Sequence, residues 1–175
     1  MTTPLFDLVV EEHSRPAPVV WRRVLVYEFD VYGHVAPQGS KRHVGGGKMI
    51  ESSKHVRPWR ADVRQTALDY RIPDLGLLDQ PLVVDMIFTF LRPAGHYGTG
   101  RNAKVLKPSA PPRPAVYPDL SKIVRSTEDA ITGVLWKDDS RITEYGRLLK
   151  VFAGEDRDAL DSPGARIRIF TLEPR

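Results

Sequence analysis

The chain has 175 residues, no cysteine and a formal net charge of +4, which is long enough to bury a core and short for more than one large domain. Its 41% hydrophobic and 27% charged content excludes a chain disordered throughout, and the missing cysteine excludes a disulfide scaffold and thiolate metal sites. The longest apolar stretch, PLVVDMIFTFL, is broken by Asp85 and falls far short of the roughly 20 residues of a membrane span, so a cytoplasmic protein with no membrane partner is expected.

The N-terminal segment MTTPLFDLVVEEHSRPAPVV carries acids where a secretory signal would be basic. Residues 1–18, with Pro4, Pro16 and Pro18, read as a flexible arm before a domain spanning 19–175. In RVLVYEFDVYG, Leu25, Tyr27, Phe29 and Val31 alternate with Val26, Glu28 and Asp30, the period of a half-buried strand. GHVAPQGSKRHVGGGKM then reads as a long hairpin tip with a short returning strand around Lys48 to Glu51. Its three glycines lack both the Walker and the dinucleotide-binding spacing, which makes a flexible loop the better reading.

From Val56 to Tyr70 a helix is expected, with Trp59, Val63, Ala67 and Tyr70 on one face and Arg57, Arg60 and Arg64 on another. The first face packs on a sheet; the second meets phosphates or water. LVVDMIFTFLR is a second strand, rich in valine, isoleucine and phenylalanine. Residues 93–118 follow as a basic loop without periodicity, and loops of this length are usually functional or disordered.

A second helix is predicted over Leu120 to Ile131, then a turn and short strand in TGVLWKDDS, and two further strands, RLLKVFA and ARIRIFTL, around the acidic loop GEDRDALDSPG. This order favours a single α+β domain, its mixed or antiparallel sheet carrying two main helices on one face. Basic residues gather in two places. Lys41, Arg42, Lys48, Lys54, Arg57, Arg60 and Arg64 oppose only Glu51 and Asp62, while Arg101, Lys104, Lys107 and Arg113 face no acid in their loop. Such clustering suggests a polyanionic partner, against the alternative of solvated surface charge.

The stretch YPDLSKIVRSTEDAITGVLWKDDSR holds the chemistry. Asp119 occupies an N-cap position, where its carboxylate could accept from first-turn N–H groups. Ser121, Arg125 and Asp129 are spaced to share a helix face, with Glu128 beside them, and Arg125 with Asp129 could be a surface ion pair. Asp138 and Asp139 are adjacent, a pair that needs no explanation if solvated. If the chain after Gly133 runs back beside the helix start, the two acidic sites converge on a divalent cation, and Mg²⁺ uses only one or two carboxylates with waters and phosphate completing its octahedron.

PDLSKIVRSTEDAITGVLWKDDSR resembles the signature of the RusA family of Holliday junction resolvases, many encoded by phages and prophages. That signature is approximately Pro-Asp-Leu-Asp-Asn-Leu-x-Lys, a helical Asp, Gly-Val and Asp-Asp. GHVAPQGSKRH is similar to the family's early Gly-x-x-x-Pro loop, FLRPAGHYGTGRNAKVLKPSAPPRP to its Arg-Pro-x-x-His basic loop and RLLKVFA to its lysine-bearing strand, covering roughly residues 25–155. The resemblance implies a RusA-like fold, a homodimer cutting four-way DNA symmetrically, Mg²⁺ with Mn²⁺ as a substitute, and a bacterial cytoplasm as the setting.

It further implies that Asp119, Asp138 and Asp139 form the metal and catalytic set, with Asp139 the more direct ligand, and that Arg125 takes the place of the family's helix lysine. The second aspartate of the family is Ser121 here and the following Asn is Lys122. Ser121 removes a formal charge, for which Glu128 or Asp129 is the candidate replacement. Arg125 grips phosphate but does not readily release a proton, which suits electrostatic stabilisation. Lys41, Arg42, Lys48, Arg57, Arg60, Arg64, Arg101, Lys104, Lys107 and Lys150 are the expected DNA contacts, although Lys150 also suits a snorkelling strand residue. Two alternatives stand beside the nuclease: a branched-DNA-binding protein that cleaves poorly because of Ser121, and a basic structural protein with solvated carboxylates.

Overall fold

A computed structural model describes residues 18–38, 41–43, 49–51 and 54–175. The expected N-terminal arm, apart from Pro18, and the expected DNA contact Lys48 lie outside them. The strands are β1 (Trp21–Tyr32), β2 (Lys41–His43), β3 (Met49–Glu51), β4 (Leu82–Phe90), β5 (Ile142–Phe152) and β6 (Gly164–Pro174). The helices are α1 (Val56–Tyr70) and α2 (Leu120–Ile131). Four strands form one sheet in the order β1-β6-β4-β5, antiparallel except where β4 and β5 run parallel. The expected α+β class, with a mixed sheet and two helices, is therefore what the chain adopts.

Three expectations need correction. The returning strand Met49–Glu51 pairs with Lys41–His43 in its own two-stranded sheet and does not join β1. The strand expected in TGVLWKDDS reduces to isolated bridges of Trp136 with Leu78 and Thr132, because Gly133 turns the chain and Trp136 is buried against the helix end. The strand read as RLLKVFA begins earlier, at Ile142. Its first half was hidden by exposed polar residues and by Gly146, where a Cβ would collide with the buried Asp85 carboxylate. Asp85 accepts the Arg147 N–H at 2.8 Å, so the apparent interruption of an apolar strand satisfies a register irregularity between β4 and β5.

One core unites both helices with the sheet. Trp59, Val63 and Ala67 from α1 and Ile123 and Ile131 from α2 meet Phe29, Val31, Val84, Met86, Phe88 and Ile167. The Trp59 indole also donates to Thr127 Oγ1 at 3.1 Å, tying α1 to α2. Parallel strands cannot be joined by a tight turn; they require a crossover, and here α2 is part of it. The helix returns across the sheet against the direction of β5, so the end of β5 lies beside the start of α2 and the start of β5 beside its end. Two contacts fix this: Lys150 Nζ donates to Pro118 O at 2.9 Å, and the Tyr145 hydroxyl donates to Glu128 Oε1.

Candidate active site

The site is laid out along α2. At its start, Asp119 is the N-cap residue by position, yet its side chain accepts no capping hydrogen bond. The carboxylate instead meets Lys122 Nζ at 2.9 Å, one turn along. That hydrogen bond and charge, with Lys150 nearby, hold the Asp119 carboxyl below the usual carboxylate range. Lys150 donates to Val116 O at 2.6 Å and to Pro118 O at 2.9 Å, so it fixes the chain entering the helix. Burial lowers the Lys150 ammonium from its ordinary value, against the opposing pull of Asp119.

At the other end, Glu128 is only 9% exposed. Burial pushes its carboxyl up, the Tyr145 hydrogen bond pulls it down, and the charges of Asp139 and Asp129 push it up again. Tyr145 is driven above its ordinary value by burial and by Glu128. Asp139 is the next acid whose charge acts on both groups of this pair.

Asp138 and Asp139 play different parts. Asp138 Oδ1 accepts the Ser140 N–H at 2.9 Å and caps a short 3₁₀ turn over Asp139–Arg141. Ser140 is also the main reason its carboxyl sits low, with smaller effects from Asp139 and Arg141. Asp139 is exposed, at the first position of that turn. Asp79 braces the segment, meeting Lys137 Nζ at 2.9 Å on one side and Arg141 Nε at 2.8 Å on the other.

The expected convergence is therefore corrected in form. β5 does run back beside α2, but it brings Lys150 to the helix start and leaves Asp139 near Glu128. Among the described residues, no group of three or more His, Asp or Glu side chains is placed to hold a metal ion. Between the two ends lies the open stripe of Ser121 and Arg125, both exposed, and Arg125 has no ion pair among the described residues.

The expected grouping of Ser121, Arg125 and Asp129 also changes. At 3.6 residues per turn, seven residues return a side chain to within about 20° of its starting direction, whereas eight carry it about 80° away. Glu128 accordingly continues the stripe. Asp129 turns to α1, where it meets Arg60 Nη2 at 2.6 Å. Arg60, expected on DNA, is thus engaged within the fold.

The remaining cations divide by the work they already do. Arg57, Arg64, Arg101 and Lys104 are exposed; Lys107 donates to Gly95 O at 2.8 Å across its own loop. Lys41 and Arg42 lie in the β2–β3 hairpin, reached from a loop that docks on α2 through Ser126 Oγ to Ala36 O at 2.6 Å and Gln38 N to Lys122 O at 3.0 Å. Sequence reasoning missed Tyr145, Asp79 and Arg92. Arg92 lies 3.9 Å above the Phe152 ring, pairs with Glu155 and donates to Pro111 O at 2.9 Å. It ties the start of the basic loop to Pro111 within it and to Glu155 outside it. Only Arg92 had a signal, the Arg-Pro-x-x-His spacing.

Residues 33–169 match the family model described as Endodeoxyribonuclease RusA. No curated protein matches the chain.

Proposed function

The chain belongs to the RusA endodeoxyribonuclease family, and from that premise we propose that it resolves four-way DNA junctions by paired, metal-assisted phosphodiester hydrolysis. The observation that carries this reading is the open face of Ser121 and Arg125, leading to the buried Glu128, with an arginine that lacks an ion pair among the described residues and with Asp119 and Asp139 near its two ends. A phosphate drawn to Arg125 would lie between the two acidic ends.

The donors suit Mg²⁺ in kind, being hard carboxylate oxygens on exposed Asp119 and Asp139, and the crowding of Glu128 by burial and Asp139 is a cost that a cation relieves. A site without a complete protein cage is ordinary for an ion that keeps waters and substrate phosphates. Asp139 and Glu128 would hold Mg²⁺ or Mn²⁺ at one end of the stripe, with Asp119 a second acidic point at the other, and the bound ion would polarise a phosphate oxygen and lower the pKa of a water. Arg125 binds the phosphate through its planar fork and offsets the charge that develops as water oxygen bonds to phosphorus and one bridging P–O bond breaks. The Asp138 oxygen not used by Ser140 takes the water proton. Lys150 keeps Asp119 in place. Symmetric cuts require two such sites, hence a homodimer, and phosphate contacts from the basic loop and hairpin select junction shape without reading bases.

A second reading has its own observation. Lys122 holds the one carboxylate left at the helix start, beside a neutral Ser121, which favours a protein that binds junctions tightly and cuts slowly. Incubation of purified protein with a synthetic four-way junction, in Mg²⁺ or in EDTA and beside Asp139→Asn, separates the two. Paired nicks that vanish in both controls are expected; tight binding with no metal-dependent nick would overturn the nuclease reading.

A further inference from the structure

Next to the helix start is a cavity of about 170 Å³ that the nuclease mechanism leaves unused. Phe90, Phe152, Pro93 and Pro114 form apolar walls, and Tyr117 and Lys150 stand on the side toward Asp119. Its volume is below the roughly 300 Å³ of ordinary small-molecule pockets, which limits an occupant to about one ring system. The walls are held rigidly: Arg92 caps the Phe152 ring at 3.9 Å, and His96 meets its edge at 5.8 Å between centroids. Lys150 reaches the cavity from the site. Lys150 gives two N–H donors to Val116 O and Pro118 O, and an ammonium has three, so one N–H remains for an acceptor.

We propose that this cavity receives a single unstacked nucleobase from the strand lying across Asp119, its faces against the apolar walls and its acceptor edge toward Lys150. The inference rests on the junction-nuclease reading. Three observations favour a base over a side chain of another protein. The cavity shares Lys150 and Tyr117 with the segment that carries Asp119, so its mouth adjoins the path of the proposed scissile strand. The loop that closes it, residues 93–118, contains no acidic residue and carries Arg101, Lys104, Lys107 and Arg113, which draws a polyanion past the opening. Apolar planar walls accept any base through its π-face, and a base leaves its stack at lower cost where stacking is already broken, as at the crossover of a branch point. Strand exchange at a four-way junction supplies such a base, whereas continuous duplex does not, so the cavity would add shape selectivity that phosphate contacts alone lack.

The test places 2-aminopurine, one position at a time, around the cleaved phosphate of a four-way junction and reads its fluorescence with protein in EDTA. Severalfold brightening at one or two adjacent positions is expected with the native protein. It should be lost in Ala115→Trp, which fills the cavity from an exposed lining position, and in Leu91→Trp, a second filler should the first fail to fold. In Mg²⁺, the filled variants should cut the intact junction about 10-fold more slowly, and an abasic nucleotide at the bright position should erase the difference. A junction that is bound but dark at every position, or brightening that survives both fillers, overturns the proposal. So does a dark complex in which the fillers change the oligomeric state, since that assigns the cavity to a protein segment. A junction that does not bind at all instead counts against the nuclease reading beneath it.

Discussion

Ser121 leaves the first turn of α2 one charge short, and Lys122 then takes the Asp119 carboxylate at 2.9 Å. Both partners are about half exposed, so the pair is screened and easily displaced, but it competes with a cation for the same oxygens. Ser121→Asp combined with Lys122→Asn should therefore raise Mn²⁺ affinity by about tenfold, measured by titration calorimetry without DNA; unchanged affinity would exclude the helix start from the metal site. Glu128→Gln and Asp129→Asn make a sharper pair. The first should weaken Mn²⁺ by about tenfold with little effect on melting. The second should leave Mn²⁺ alone and cost about 0.5–1 kcal/mol of stability as Arg60 loses its partner. The reverse pattern would move the missing carboxylate to Asp129. Spacing in the sequence nominated both residues; helical pitch and Arg60, a residue distant in sequence, separate them.

At the scale of elements, the crossover between β4 and β5 makes the site, and it was only half legible. The helices and the second strand were readable from periodicity, because their buried faces recur at 3.6 or 2 residues. The start of β5 was not, since Thr143, Glu144 and Tyr145 are exposed, and the accommodation of Asp85 by Gly146 depends on a neighbouring strand. Tyr145, which holds Glu128, was lost with it. Lys150→Met removes both bonds that fix the Val116–Pro118 segment and should lower kcat about tenfold, as for a positioning residue, with any rise in KM reporting its contact with a base in the adjoining cavity; an unchanged kcat would overturn the positioning role. The basic loop has an acid-labile anchor. Glu155 is held low by its Arg92 hydrogen bond. Burial opposes the same shift at Asp156, where Arg147 and Arg113 prevail. Carboxyls lowered in the fold stabilise it above their unfolded values near pH 4 and lose that effect as pH falls through the folded values. Trypsin resistance at Arg101, Lys104 and Lys107 should thus hold at pH 7 and be lost severalfold faster in Arg92→Met. A melting curve that does not fall below about pH 4 would deny the anchor.

For the whole molecule, alternation along strands told which side chains face the core, but not which strands are neighbours. The insertion of β6 between β1 and β4 was foreshadowed only by the near-continuous apolar run LVVDMIFTF, which the fold buries almost throughout as a central strand. Charge was legible as two clusters, yet a cluster in sequence does not say which cations are already engaged. Arg60 is taken by Asp129 and Arg113 by Asp156 at 3.2 Å, whereas Arg64, Arg101 and Lys104 have no ion pair among the described residues. The net charge of +4 therefore understates the attraction at the loop and overstates it on α1. Phosphate contacts release counterions, so each one contributes about −0.9 to the slope of log affinity against log salt. In a fluorescence anisotropy titration of a labelled four-way junction in EDTA, Arg101→Ala and Lys104→Ala should each flatten that slope by about one unit, equally for junctions of different sequence. Arg60→Ala should leave the slope as it is and lower the melting temperature. Equal flattening by all three variants would mean that Arg60 exchanges Asp129 for phosphate on binding, and an unchanged slope in the two loop variants would remove the loop from the DNA path.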